Sequence, residues 1–144
     1  MVKICTDPGT LSGIGNHPAL LKHITDDFNF EFEPRPGSLY LTYEDKGIVS
    51  FDPINCICYS VHIALLPELW GRGTAIGKEA VDWVFQNTAC QKLVAMVPEY
   101  NRLAIRVARS FGRHEGTIRD AFSKGWKLHD LIIFGLSKEV WVWQ

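Results

Sequence analysis

The residues with the plainest chemical content are Leu65, Leu66, Pro67, Glu68, Leu69, Trp70, Gly71, Arg72, Gly73, Thr74 and Ala75, read in that order. An apolar run, Ile57 to Leu66, enters this Gly-rich turn, and a helix-patterned segment from Thr74 to Phe85 leaves it. Strand, glycine turn and helix make a phosphate site: glycines let the backbone come close, and free N–H groups of the first helical turn point at the anion. Arg72 would add a fixed positive charge. The same composition also suits a plain tight turn, so the rest of the chain has to decide.

The elements that position this turn fit one compact domain spanning 1–144. The chain has 144 residues and is 47% hydrophobic, enough for a substantial core. Its net charge of -1 gives general nucleic-acid binding no support. No apolar run is long enough to span a membrane. The start, Met1-Val2-Lys3-Ile4-Cys5, lacks a signal-peptide apolar region. The expectation is a cytoplasmic protein with no membrane and no nucleic-acid partner. Of the cysteines Cys5, Cys56, Cys58 and Cys90, the middle pair flanks Ile57 on an expected strand and would share a face. There is no Cys-x-x-Cys pair and no histidine at finger spacing, so free thiols are expected, and no metal.

Along the chain, Asn16-His17-Pro18 opens a short helix over Pro18 to Asp26, with Pro suited to its first turn. Phe28 to Phe32 alternates as a strand should. Leu39 to Tyr43 and Gly47 to Phe51 read as a hairpin around Glu44, Asp45 and Lys46. Asp52-Pro53 turns into a strand from Cys56 to Leu66. The helix after the glycine turn buries Ile76, Ala80, Val84, Val81 and Phe85. Lys92 to Val97 is a buried strand ended by Pro98. A second helix covers Asn101 to Phe111, with Leu103, Val107 and Phe111 on one stripe and Gly112 as its stop. Strands near Gly116 to Asp120 and Leu128 to Leu136 follow, then an apolar tail from Val140 to Trp143. The order strand, helix, several strands, helix, strand, helix, two strands is a mixed α/β sheet with helices on its faces.

With these motifs the chain resembles the GNAT acyltransferase superfamily over Asn16 to Lys138. Trp70-Gly71-Arg72-Gly73-Thr74-Ala75 is similar to the family's Gln/Arg-x-x-Gly-x-Gly/Ala loop. Trp70 stands where Gln or Arg is usual, and Trp-Gly-x-Gly occurs in the branch that acetylates ribosomal-protein N-termini. Asn101-x-x-Ala104 before Gly112 resembles the helix beside the pantetheine arm. Glu115-Gly116-Thr117-Ile118-Arg119-Asp120, then Gly125 and His129-Asp130, resembles that branch's ending. The resemblance implies an α/β fold of GNAT type: a mixed, mostly antiparallel sheet with a splayed central strand pair and flanking helices. It implies acetyl-CoA, its pyrophosphate on the N–H groups of Gly71 to Ile76. The arm would pair with the backbone of Ala64, Leu65 and Leu66 and with Asn101, next to Ala104. Arg109 or Arg106 would reach phosphates, or remain solvated helix arginines.

The implied reaction is direct transfer of acetyl to an amine in a ternary complex, the amine belonging to a small molecule or a protein N-terminus. A backbone N–H of the splayed strand would hold the thioester carbonyl. Polar candidates on that strand are Tyr59, Ser60 and His62, and His62 has the intrinsic pKa of a general base, although a strand histidine is equally satisfied by a neighbouring backbone group. Glu115 and Asp130 are further ionisable candidates, Asp130 better suited to anchoring a strand or loop. The family's general-acid tyrosine is replaced by Ala108, and Tyr100 is the substitute to consider. The family's Gly-Phe reads Gly112-Arg113, with Phe111 able to supply the bulk. With Asn16-His17-Pro18 near the start, the chain also resembles small GNAT-like proteins of tailed bacteriophages, some labelled head-assembly. That alternative is a non-catalytic binding module, with phage structural proteins or a second copy meeting the tail at Trp141 and Trp143.

Overall fold

A computed structural model describes residues 1–24 and 31–142. Its strands are registered in the order β1-β2-β3-β4-β5-β7-β6. Residue contacts divide the chain into two compact units, Met1–Asp52 with His62–Trp83, and Pro53–Val61 with Val84–Gln144. The pairings of β1 with β2, β2 with β3, β5 with β7 and β6 with β7 are antiparallel, and that of β4 with β5 is parallel.

The first unit begins with β1 (Val2–Ile4), α1 (Pro8–Gly15) and α2 (Pro18–Ile24). Asp7 caps α1, its Oδ2 accepting from Thr10 N–H at 3.1 Å and from the Thr10 hydroxyl at 2.6 Å, and Pro8 stands in the first turn, where its missing N–H costs nothing. These bonds, the hydroxyl's first, pull the Asp7 carboxyl below its ordinary pKa. β2 (Leu39–Tyr43) and β3 (Gly47–Pro53) form the hairpin read from the sequence, with Tyr43 opposite Gly47. Glu44 and Asp45 both have φ of 52°, the mirror-image turn whose twist suits a two-stranded hairpin. Leu11, Ile14, Leu20, Tyr40, Ile48 and Leu66 make one buried cluster, with Cys5, Phe32 and Ala64 packed against it. The later half of β4 (Cys58–Leu65) and most of α3 (Gly73–Asn87) complete this unit. In α3, Ile76, Ala80, Val81, Val84 and Phe85 are buried, as their spacing predicts.

The second unit holds the start of β4, β5 (Lys92–Pro98), α4 (Arg102–Phe111), β6 (Arg113–Lys124), β7 (Lys127–Ser137) and α5 (Lys138–Val142). β5 pairs with β7 over seven positions, from Lys92 opposite Ser137 to Pro98 opposite Leu131. With β4 it pairs over three, ending at Ser60 opposite Val94, although β4 runs to Leu65 and β5 to Pro98.

Several expectations are corrected. β1 and α1 precede the first helix read from the sequence. The strand expected from Cys56 starts at Cys58, because Asn55 Oδ1 accepts from the N–H groups of Ile57 and Cys58 at 3.0 and 2.9 Å and folds Cys56 into a turn. Cys56 and Cys58 therefore do not share a strand face. Phe28, Asn29 and Phe30 lie outside the described residues, as do Thr25, Asp26 and Trp143, while Glu31 and Phe32 belong to no strand. Asn16 holds Phe32 instead, accepting from its N–H at 2.5 Å and donating to its carbonyl at 3.0 Å. β6 is longer than Gly116 to Asp120, its register broken between His114 and Gly116 and between Ile118 and Phe122. Leu103 is 54% exposed and does not belong to a buried stripe. Part of the apolar tail is helical, α5, with the Trp141 ring 5.5 Å from that of Phe111.

Gly112 ends α4 without the left-handed conformation of a glycine cap: φ is -133° and the backbone is already extended. The glycine is needed because a Cβ there would lie 2.6 Å from the Gly135 carbonyl oxygen on β7. Gly112→Ala should therefore destabilise the protein by about 2 kcal/mol in urea unfolding, an overpacking cost against backbone that cannot move aside. Gly135→Ala should cost less, since its Cβ would meet only the movable Glu115 side chain and disturb the surface Lys92–Glu115 pair. Equal stability of Gly112→Ala and wild type would refute the close approach.

Candidate functional site

In the first unit the turn after β4 is built by a chain of short backbone bonds. A 3-10 turn, Pro67–Leu69, starts it: Leu69 N–H donates to Leu66 O at 2.9 Å, Trp70 N–H to Pro67 O at 3.1 Å and Arg72 N–H to Leu69 O at 3.0 Å. Gly71 then takes φ of 89°, with open space where a Cβ would stand, so the glycine is required by conformation and not by crowding. The first bond of α3 runs from Ile76 N–H to Arg72 O at 3.0 Å. The N–H groups of Gly73, Thr74 and Ala75 precede it and have no acceptor within the helix. Thr74 and Ala75 are exposed. This narrows the anion-facing backbone expected from Gly71 to Ile76: the Ile76 N–H is occupied and its side chain, 1% exposed, sits in the core.

Two other expected contacts have partners. Leu66 is buried and its N–H donates to Lys46 O at 2.8 Å. Leu65 O accepts from Trp70 Nε1–H at 2.9 Å, which gives the unusual tryptophan a local role, since its ring is 47% exposed and its indole N–H ties the turn back to β4. Arg72 is turned to the β2–β3 hairpin. Its guanidinium lies 5.0 Å from the Tyr43 ring centre, donates to the Tyr43 hydroxyl and stands 3.7 Å from Glu44. It thus clasps the glycine turn to the hairpin.

His62, on β4, is surface-exposed. Protein crowding around the imidazole lowers its pKa; the Asp52 carboxylate opposes that shift and Arg35 adds to it. Because the side chain still meets solvent, the crowding is partial and leaves the ring reachable.

In the second unit Tyr59 stands half-buried on β4 opposite Leu93. Asn101 caps α4: its Oδ1 accepts from Ala104 N–H at 3.1 Å, and its Nδ2 has no partner among the described residues. Ala104 and Ala108 are half-buried on α4. Arg109 joins Arg102, Ile105 and Arg106 along an open groove of about 410 Å3. Tyr100 is packed between rings, 4.8 Å from His129 and 6.0 Å from Phe122. Glu115 pairs with Lys92. Asp130 Oδ1 accepts from Asp120 N–H at 3.0 Å, where Asp120 holds φ of 52°, so it anchors the β6 irregularity as its sequence context suggests. One cluster has no sequence signal: His129 Nδ1 is 3.3 Å from Glu99 Oε1 and its Nε2 3.2 Å from Lys124 O, which binds the β6–β7 hairpin to the segment before α4. The four thiols are free, and burial pushes Cys90 up. Among the described residues no three of His, Cys, Asp and Glu are grouped to hold a metal, and no helix is long and apolar enough to cross a membrane.

No family model and no curated protein matches the chain. Solved structures do. A chimera of spermidine N-acetyltransferase SpeG from Vibrio cholerae and hSSAT superposes with a TM-score of 0.81 at 18% identity over 99% of each chain. The Vibrio cholerae spermidine N-acetyltransferase in complex with CoA and spermine gives 0.68 at 18% identity, over 74% of this chain and 69% of that one. Ribosomal-protein-S5-alanine acetyltransferase from Vibrio fischeri gives 0.64 at 19% identity, over 73% and 64%. The chain has a GNAT-like fold, a seven-stranded mixed α/β sheet with flanking helices, and at these identities the likeness establishes that fold alone.

Arg72→Met, which keeps an unbranched stem but removes the clasp, should lower stability by about 1 kcal/mol in urea unfolding, the worth of a part-exposed cation–π contact with its hydrogen bond. An undiminished midpoint would show that the clasp holds nothing.

Proposed function

We propose that the protein is an acetyl-CoA-dependent N-acetyltransferase acting on a small amine or a protein N-terminus. The observation that carries this is the row of open N–H groups at Gly73, Thr74 and Ala75, at the positive end of α3 and just after the left-handed Gly71. These orphan donors fit a pyrophosphate, and the unpartnered Nδ2 of Asn101 fits an amide carbonyl such as a pantetheine arm contains. Neighbours of the same fold are named for spermidine and for a ribosomal-protein alanine, acceptors that share a primary amine.

Acetyl-CoA would supply an acetyl thioester, the acetyl passing to the amine nitrogen and coenzyme A leaving as its thiolate. His62 takes the proton that the amine must lose, through the lone pair of its neutral ring. Its lowered pKa keeps that ring neutral to more acid pH. With alanine at position 108, no side chain of α4 returns a proton to the thiolate. Tyr100, whose ring lies against His129 and Phe122, is one candidate donor. Tyr59 and water are the remaining donors.

A second reading is a non-catalytic GNAT-fold assembly protein, of the phage head-assembly kind, that docks through its tail. Ala108 favours it. The tilted contact of the Trp141 ring with Phe111 counts against it, because that ring already has an internal partner.

Excess acetyl-CoA at about 100 times its Kd should add about 2.7 kcal/mol, a rise of several degrees in thermal unfolding. Gly73→Glu, which sets bulk and negative charge at the open N–H groups, should abolish the rise. No rise for wild type at millimolar ligand would overturn cofactor binding, and a rise without acetylation of any amine would favour the second reading.

The acid limb of kcat against pH should fall below 6.5, the ordinary histidine value. The sign follows from the neutral base: activity is full above the lowered pKa and is lost as pH drops through it. His62→Ala should cut kcat by about a hundredfold or more and remove that limb while leaving acetyl-CoA affinity near normal. An unchanged limb in the variant would assign the base elsewhere.

A further inference from the structure

α4 carries Arg102, Arg106 and Arg109 at spacings of four and three, and with Ile105 they line one open groove of about 410 Å3. None of the three has an ion-pair partner among the described residues. The helix, Arg-Leu-Ala-Ile-Arg-Val-Ala-Arg-Ser-Phe, contains no acidic residue to offset them, in a chain whose net charge is -1.

Helix energetics disfavour this arrangement. Like charges three and four residues apart repel. Arg102 also sits in the first turn, at the positive end of the helix dipole, where an acidic side chain would be stabilising. Arg109, near the other end, is the single one of the three that the dipole favours. A local rule broken with no compensating contact is where a functional site is expected. The guanidinium is a planar fork of donors matched to phosphate oxygens and is more weakly hydrated than an ammonium. From Arg102 to Arg109 the helix rises about 10 Å, a row that spans several linked phosphates. Ile105 lies among the three arginines and adds an apolar contact.

We infer that α4 carries a second anion site, separate from the α3 N-terminus, that takes a small oligophosphate ligand through Arg102, Arg106 and Arg109. The inference does not depend on acetyl transfer.

Inorganic triphosphate is the probe, titrated calorimetrically into the full chain at low salt. Wild type should bind it. The variant Arg102→Gln/Arg106→Gln/Arg109→Gln, checked for native circular dichroism, should bind at least about tenfold more weakly, as loss of charge-assisted bonds requires. Arg106→Lys, a milder change that keeps charge but loses the fork, should weaken binding less. Gly73→Glu, which closes the α3 N-terminus to triphosphate as to pyrophosphate, should keep the binding that the triple variant loses. No binding by wild type, equal binding by the triple variant, or loss in Gly73→Glu each overturns the site. Coenzyme A and dephospho-coenzyme A form the last arm. If the triple variant loses affinity for the first alone while triphosphate does not bind, the row serves the cofactor's own 3′-phosphate and the separate site is overturned. Triphosphate binding and acetyl-CoA stabilisation are read independently, so either can fail without the other.

Discussion

β5 is registered over seven residues on its β7 side and over three on its β4 side. A strand inside a sheet has donors and acceptors along both edges, and an edge without a strand partner must be satisfied otherwise. From Ala95 onward the β4 side of β5 has no registered strand. The long antiparallel ladder with β7 makes this tolerable, since it fixes the position of β5 whatever happens at the other edge, while Leu93 and Val97 lie in the core. The same ladder continues into the start of α4. Glu99 N–H donates to Asp130 O at 2.9 Å, and Asn101 N–H closes the turn on Pro98 O at 3.0 Å, so the Asn101 cap begins where β7 dictates.

In the first unit the corresponding work falls to the β2–β3 hairpin. Its mirror-image turn at Glu44 and Asp45 presents Lys46 O to Leu66 N–H, and Tyr43 with Glu44 to the Arg72 guanidinium. The Gly-rich turn is therefore held at both ends, by a backbone bond where it leaves β4 and by a side-chain clasp where it enters α3. Held this way, its open N–H groups have fixed directions before any ligand arrives, which cuts the ordering cost of binding. The clasp also revises the electrostatics. Arg72 is partly neutralised by Glu44, so the positive potential at the turn comes chiefly from backbone dipoles.

What the sequence makes legible follows from the range of the signals. The hairpin from Leu39 to Phe51, β5, β7, α3 and α4 are carried by periodicities two to four residues long, and they fall within a residue or two of expectation. The Gly-rich turn is legible because left-handed φ leaves a local glycine signature. α1 carries a fainter signal, Asp7 capping Thr10 across Pro8, on a segment too short to show a clear period. The extension of β6 is hidden by two register shifts, and α5 by its brevity. Partnerships are the least legible. Glu115 sits 23 residues from Lys92 and Glu99 30 residues from His129, and nothing local links either pair. That is why Glu115 reads as an ionisable candidate for chemistry although the structure pairs it with Lys92.

An accounting of polar partners sorts the remaining groups by physics. Folding a polar group against a partner stabilises; leaving it without one costs free energy unless solvent or a ligand completes it. Glu115, Asp130, His129, Arg72 and the Trp70 indole all have partners, and each closes a contact between elements. Among the described residues, the groups without a partner include the first N–H groups of α3, the Nδ2 of Asn101, the α4 guanidiniums and the buried Thr42 Oγ1. The first two are neutral donors of the kind that an amide-rich, phosphorylated ligand saturates. The third is charged and self-repelling, with Arg102 set against the helix dipole and Arg109 favoured by it, and a bound anion would relieve the repulsion further than solvent does.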